Sequence, residues 1–222
     1  MIFLTGYKMN KVILAIALAF STQANAAELE IQAFGGMQSL PHSIVTGRTI
    51  NGPIDARIGW QGKSFAPPPY YGVRAIWWRE NGIGFGMELT HDKAYAPESE
   101  MAAHQFDRLE FTDGHNIITA NIAKRWVNKW GAYTPFVGAG IGIALPHVDI
   151  QPTGGAHTFG YQLTGPALRL GAGVSRQITE TWSLFAEYEF TVSDNKAKLD
   201  DGGTIETTLV TNAINVGVGY KF

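Results

Sequence analysis

A carboxylate and an imidazole stand at alternate positions in Asp113-Gly114-His115. On an extended strand every second side chain points the same way, so Asp113 and His115 share a face, as ligands of one metal ion or members of an acid/base pair must. Leu-Pro-His occurs twice, at Leu40-Pro41-His42 and Leu145-Pro146-His147. In each, proline ends strand pairing and aims the imidazole that follows. Asp113, His115, His42 and His147 are therefore the candidate catalytic residues, and Asp113, His115 and His42 the candidate metal ligands. His91 and Asp92 are adjacent and face opposite sides of a strand, so without a bulge they cannot serve one metal. The chain has no cysteine, which removes disulfide, thiolate-zinc and cysteine-nucleophile chemistry. Neither G-x-S-x-G nor H-E-x-x-H occurs. Gly138, Gly140 and Gly142 alternate within a strand and lack the following helix that a dinucleotide site requires.

The elements that position these residues are strands. Asn215-Val216-Gly217-Val218-Gly219-Tyr220-Lys221-Phe222 alternates apolar with small or polar residues and ends on Phe222. Upstream, Leu184, Ala186, Tyr188, Phe190 and Val192 oppose Phe185, Glu187, Glu189 and Thr191, and Val137, Ala139, Ile141 and Ile143 oppose Phe136, Gly138, Gly140 and Gly142. The second face is glycine with paired charges, among them Glu28, Glu30, Arg74, Glu88, Arg125, Arg169, Glu187, Glu189 and Lys221. That suits the packed interior of a narrow barrel whose apolar face meets lipid. Eight strands are predicted, at 28–38, 70–79, 83–93, 115–126, 132–145, 160–175, 181–193 and 208–222. The fold expected is all-β, an eight-stranded antiparallel transmembrane up-and-down barrel with short periplasmic turns and long extracellular loops. Within the loop 39–69, Ile54 to Gln61 extends the second strand or forms a small extracellular hairpin. Trp77, Trp78, Trp126, Trp130 and Trp182 flank the three short turns as an interfacial girdle.

On this topology all six histidines, His42, His91, His104, His115, His147 and His157, lie at the extracellular end or in long loops. Either that rim is a site, or histidine follows the longer, more polar loops. His91 shares the lipid-facing parity of Met87 and Leu89 and is a candidate contact for lipopolysaccharide. The acidic loop 94–114 carries Glu98, Glu100, Asp107, Glu110 and Asp113, suited to divalent-cation bridging or to solvation.

Of the 222 residues, 26 are glycine and only 16% are charged, against about 25% in soluble domains. The longest apolar run, Val12 to Phe20, is nine residues, far short of the ~20 that a transmembrane helix needs. Lys8 and Lys11 precede that run and Ala24-Asn25-Ala26 follows it, the pattern of a secretory signal peptide over 1–26, with the barrel domain at 27–222. The exported chain then keeps 15 basic and 19 acidic residues with no basic cluster, so nucleic acid is not the partner. The location expected is the outer membrane of a Gram-negative bacterium, reached through an insertion machinery that reads the carboxyl-terminal Phe222, and the protein is expected to be a monomer.

Pro41-His42-Ser43, Gly59-Trp60-Gln61-Gly62-Lys63-Ser64-Phe65, Pro68-Pro69-Tyr70-Tyr71-Gly72-Val73-Arg74, the run Phe106 to Asn116, Pro135 to Gly142 and Thr211 to Gly217 resemble the outer-membrane lipid A oxidases of rhizobia and related bacteria. The resemblance implies oxidation of the proximal glucosamine of lipid A to 2-aminogluconate, with molecular oxygen as co-substrate and hydrogen peroxide released. Such an oxidation needs a base and a two-electron acceptor. A divalent or redox metal ion held by histidine and carboxylate is the simplest acceptor site in a chain without cysteine or a dinucleotide fold. Asp113 and His115 with His42 or His147 would form it at the rim, supported from the barrel interior by Glu88 or Arg74. Two other readings stand beside this one: a non-enzymatic small barrel serving membrane stability, adhesion or loop display, and a lipid A deacylase.

Overall fold

Alternation of apolar and polar residues makes each strand two-faced, and closing the sheet on itself pairs every edge while separating the faces. The computed structural model describes residues 28–222. The expected signal peptide at 1–26 lies outside the described residues, as do the side chains of Thr112 and Asp113. The elements are β1 (Glu28–Ser39), β2 (Ser43–Thr49), β3 (Gly52–Ile58), β4 (Tyr71–Trp78), β5 (Ile83–Tyr95), α1 (Glu98–Ala103), β6 (Phe106–Arg125), β7 (Tyr133–Pro152), β8 (Thr158–Tyr161), β9 (Gly165–Gln177), β10 (Trp182–Lys198) and β11 (Thr204–Lys221). Eight of them, β1, β4, β5, β6, β7, β9, β10 and β11, pair antiparallel in that order, and β11 returns to β1 to close the barrel. The hairpin β2–β3 continues the sheet beyond the membrane by pairing Val45 to Arg48 with Thr204 to Thr207 of β11, and β8 folds back on β7.

Ile31, Val73, Met87, Ile122, Ile141, Leu184, Ile214 and Val216 all point outward and are exposed. Such a belt would be costly in water, at about 25 cal/mol per Å², and is stable facing hydrocarbon. Among the tryptophans flanking the short turns, Trp77, Trp126, Trp130 and Trp182 are exposed as a girdle requires. Trp78 is the exception: one residue along from Trp77, it turns inward and its indole N–H donates to Glu30 Oε2 at 2.7 Å.

The outward apolar run ends near Tyr71, His91, Asn116, Leu145, Asp194 and Asn212. Beyond that outer boundary the two faces exchange character. Outward positions of β10 become Asp194, Lys196 and Lys198, while inward positions change from Glu187, Glu189 and Thr191 to Ala197. Leu40, Val45, Ile58, Trp60, Leu109, Phe111, Val148, Ile150, Ile205 and Leu209 form one buried cluster there. The barrel is inside-out within the membrane and has an ordinary apolar core above it.

This exchange explains where the predicted strand ends fall short. β6 starts at Phe106 rather than 115, β7 runs on to Pro152, β10 to Lys198, and β11 begins at Thr204. The acidic loop 94–114 shrinks to a short connection carrying α1, with Asp107 and Glu110 on β6. Apolar residues turn inward through these stretches, and on β6 the register shifts between Phe106 and Arg108 and again between Thr112 and His115. The ambiguous stretch in 39–69 is the second strand of an extracellular hairpin.

Candidate functional site

The membrane interior of the barrel is closed by ionic side chains. Arg74 and Glu88 are register partners on β4 and β5 and are directly paired. Arg74 also reaches Glu187 at 2.7 Å, and Arg169 reaches Glu88 at 2.6 Å, Glu189 at 2.9 Å and Glu187 at 3.2 Å. All five are buried. Glycine makes the room: a side chain at Gly171 would begin 3.0 Å from the Arg169 guanidinium. This layer seals the lumen, leaving a cavity of about 310 Å³ on its periplasmic side, lined by Glu30, Asn121, Arg125 and Lys221. The expected supporting residues Glu88 and Arg74 thus act as the plug of a barrel too narrow for an open pore.

Above the layer, β6 carries His115 inward. Its Nε2 lies 3.1 Å from Asn195 Oδ1 and 3.2 Å from Ser193 Oγ, and Asn195 Oδ1 also accepts from Thr164 Oγ1 at 2.7 Å. Phe111 roofs the ring at a centroid distance of 6.0 Å. Burial pushes the imidazole down to about 4, which keeps it neutral and removes it from proton exchange near neutrality. A nuclear magnetic resonance titration is expected to show no ionisation of His115 between pH 8 and 5, with a midpoint near 4. The unfolded chain takes up a proton near 6.5 that the folded one refuses until about 4. His115 therefore lowers folded stability progressively as pH falls through that window. A midpoint near 6.5 would show that the roof does not exclude water.

The opposite wall face carries a second cluster. His147 on β7 is the register partner of Tyr161 on β8, and its ring meets Phe159 edge-to-face at 4.3 Å and Tyr161 at 4.9 Å. Phe159 also contacts His157 at 5.4 Å. His157 Nε2 lies 2.7 Å from Asp149 Oδ1, and Arg108 spans Glu110 at 3.1 Å and Asp149 at 3.9 Å. Phe159, Tyr161 and Leu163 are exposed beside this charged group. The patch stands just beyond the outward apolar belt.

Among the described residues, the structure does not gather His42, His115 and His147 into one site. His115 points into the barrel and His147 out of it. His42 is exposed, flanking Gly59 together with Glu100, whose Oε2 accepts the Gly59 N–H at 2.7 Å. The alternation that paired Asp113 with His115 is interrupted by a bulge, where Gly114 takes φ +106. The side chain of Asp113 itself lies outside the described residues. His91 faces outward, but Tyr71 stacks over it at 4.9 Å and Asn116 Oδ1 lies 3.0 Å from its Nδ1. It is 4% exposed, so the surface group at that place is Tyr71. Asp92 turns inward, toward Thr191. Among the described residues no three histidine, aspartate or glutamate side chains converge to hold a metal ion. All six histidines do lie toward the extracellular end. Arg108, Asp149, His157 and Phe159 were missed; the available signal was alternation continuing through Arg108-x-Glu110, His147-x-Asp149 and His157-x-Phe159-x-Tyr161.

No protein-family model and no curated protein sequence matches the chain. Among solved structures it is similar to the outer membrane protein AlkL in lipid bilayers, with 12% identity, 91% of this chain and 93% of that one covered, and a TM-score of 0.53. It is also similar to Neisserial surface protein A, at 17% identity, 87% and 97% coverage and a TM-score of 0.49. Ail of Yersinia pestis matches at 14% identity, 88% and 99% coverage and a TM-score of 0.39. At these identities the likeness is one of fold, and AlkL carries it. With the closed barrel, outward apolar belt and tryptophan girdle, the chain is an outer-membrane β-barrel protein.

Proposed function

We propose that the barrel acts on lipopolysaccharide of the outer leaflet, oxidising the proximal glucosamine of lipid A to 2-aminogluconate, as the resemblance of its loop stretches implies. The observation that supports this is the position of the outward cluster. His147, Asp149, His157 and Arg108 stand just above the apolar belt, where the saccharide of a membrane lipid begins, and Phe159 and Tyr161 offer flat apolar faces beside them. The His157–Asp149 pair has the geometry of an oriented base. In the net reaction the sugar hemiacetal gives two electrons and two protons to oxygen, yielding a lactone and hydrogen peroxide, and water opens the lactone to the acid. The described residues do not assemble a three-ligand metal site, so no step is assigned to a metal. The test is mass spectrometry of lipid A from cells with and without the protein. A gain of one oxygen atom that depends on His157 is expected; an acyl chain lost instead identifies a deacylase.

The second reading, a non-enzymatic barrel that stabilises the membrane or displays its extracellular hairpin, is favoured by the ionic plug and by the scattered histidines. It predicts lipid A of unchanged mass.

A further inference from the structure

The outer wall carries a groove that the cluster on β7 and β8 does not use. Where β1 passes β11 near the outer boundary, Gly35 leaves the outward face of the wall bare. Met37, Ile214 and Val216 border a hollow of about 940 Å³. The chain before β4 forms its lip, with Phe65 and Tyr71 facing the hollow. That lip is held in place: the buried Lys93 ammonium donates to the carbonyls of Ala66 at 2.7 Å and Pro68 at 2.8 Å, and the Tyr70 N–H donates to Ser64 at 2.8 Å. Phe65 is nevertheless 73% exposed. A loop this firmly tied has no need to present phenylalanine to water, whereas within the apolar belt the medium over it is hydrocarbon.

We propose that this groove holds one acyl chain of an outer-leaflet lipopolysaccharide molecule, with Phe65 lying over the chain. Three observations select that occupant. The groove is continuous with the lipid-facing belt through Met37, Ile214 and Val216, so a protein partner would have to displace lipid to reach it. It opens at the outer boundary, beside Tyr71 and Asn212, so the lipid that reaches it is one of the outer leaflet. Its bare floor is a glycine at which an added Cβ meets one atom, Tyr70 O at 3.4 Å, and otherwise points into open space. The binding shares with the proposed function only its ligand, and retention without oxidation separates the two.

Full-length mature barrel in detergent micelles, titrated with purified lipid A and separately with phosphatidylethanolamine, tests this by native mass spectrometry. Wild-type protein is expected to retain one lipid A. Gly35→Leu, which fills the floor, and Phe65→Ala, which removes the lid, should each weaken retention about tenfold, the equivalent of roughly two buried methylenes. Heat-modifiable gel migration reports that each variant is folded, and Phe65→Ala, at an exposed loop position, carries the test if Gly35→Leu does not fold. Equal retention by wild type and a folded variant, preference for phosphatidylethanolamine, or no retained lipid overturns the proposal.

Discussion

Arg169→Ala is expected to destabilise the folded barrel by about 3–5 kcal/mol, the usual cost of removing one partner from a buried ionic group. Arg169 is 3% exposed and lies within 3.2 Å of three glutamates. Without it Glu88, Glu187 and Glu189 share Arg74 alone. The layer already sets three carboxylates against two guanidiniums, so the converse change should be asymmetric. Glu189→Gln keeps the shape and removes the surplus charge, and is expected to cost far less than Arg169→Ala. Urea unfolding in lipid vesicles, followed by tryptophan emission, measures both. Arg169→Ala unfolding at the wild-type midpoint, or Glu189→Gln proving equally damaging, would show that charge balance does not hold the layer together.

Phe111→Ala acts on the other core. Phe111 is fully buried, 6.0 Å from Trp60 and 6.0 Å from His115, and its truncation should cost about 3–5 kcal/mol of transfer and cavity energy. Because the apolar cluster lies beyond the membrane, the loss should be local. The hairpin β2–β3 is expected to become sensitive to external protease while the membrane-embedded strands remain protected. Water admitted through the gap should also raise the His115 midpoint from about 4 toward 6.5. Unchanged cleavage together with an unchanged His115 midpoint would mean that the core closes over the vacancy.

The expected interior charges, from Arg74 to Glu189, are inside because parity along each strand is set by covalent geometry, and one greasy face suffices to orient all eight strands. The same rule failed beyond the outer boundary, where the solvent changes from hydrocarbon to water and the favoured inward residue changes with it. Leu109 to Phe111 and Val148 to Ile150 alternate as clearly as the membrane segments, but in the opposite sense. Trp78 misleads for a related reason: its type suits the girdle, and only its parity reveals that it points to Glu30.

The candidate site was less legible. Placement of the histidines at one end follows from strand order and could be read directly. Which of them meet could not, because a bulge changes facing without any change in composition. Gly114 at φ +106 interrupts the spacing between Asp113 and His115, and β8 folds back to place Phe159 between His147 and His157.

The sequence by itself therefore determined the strand count, the closure and the membrane-facing side, since these depend on periodicity and on the free energy of moving one face into lipid. Tertiary structure alone decided the partners: three glutamates around two arginines from strands far apart in the chain, His115 sealed beneath Phe111, His147 on the opposite face, and a lip tied down by Lys93. Those contacts join distant parts of the chain, such as Arg74 and Glu187, 113 positions apart. They arise from barrel curvature and local bulges, which side-chain periodicity along a single strand does not encode.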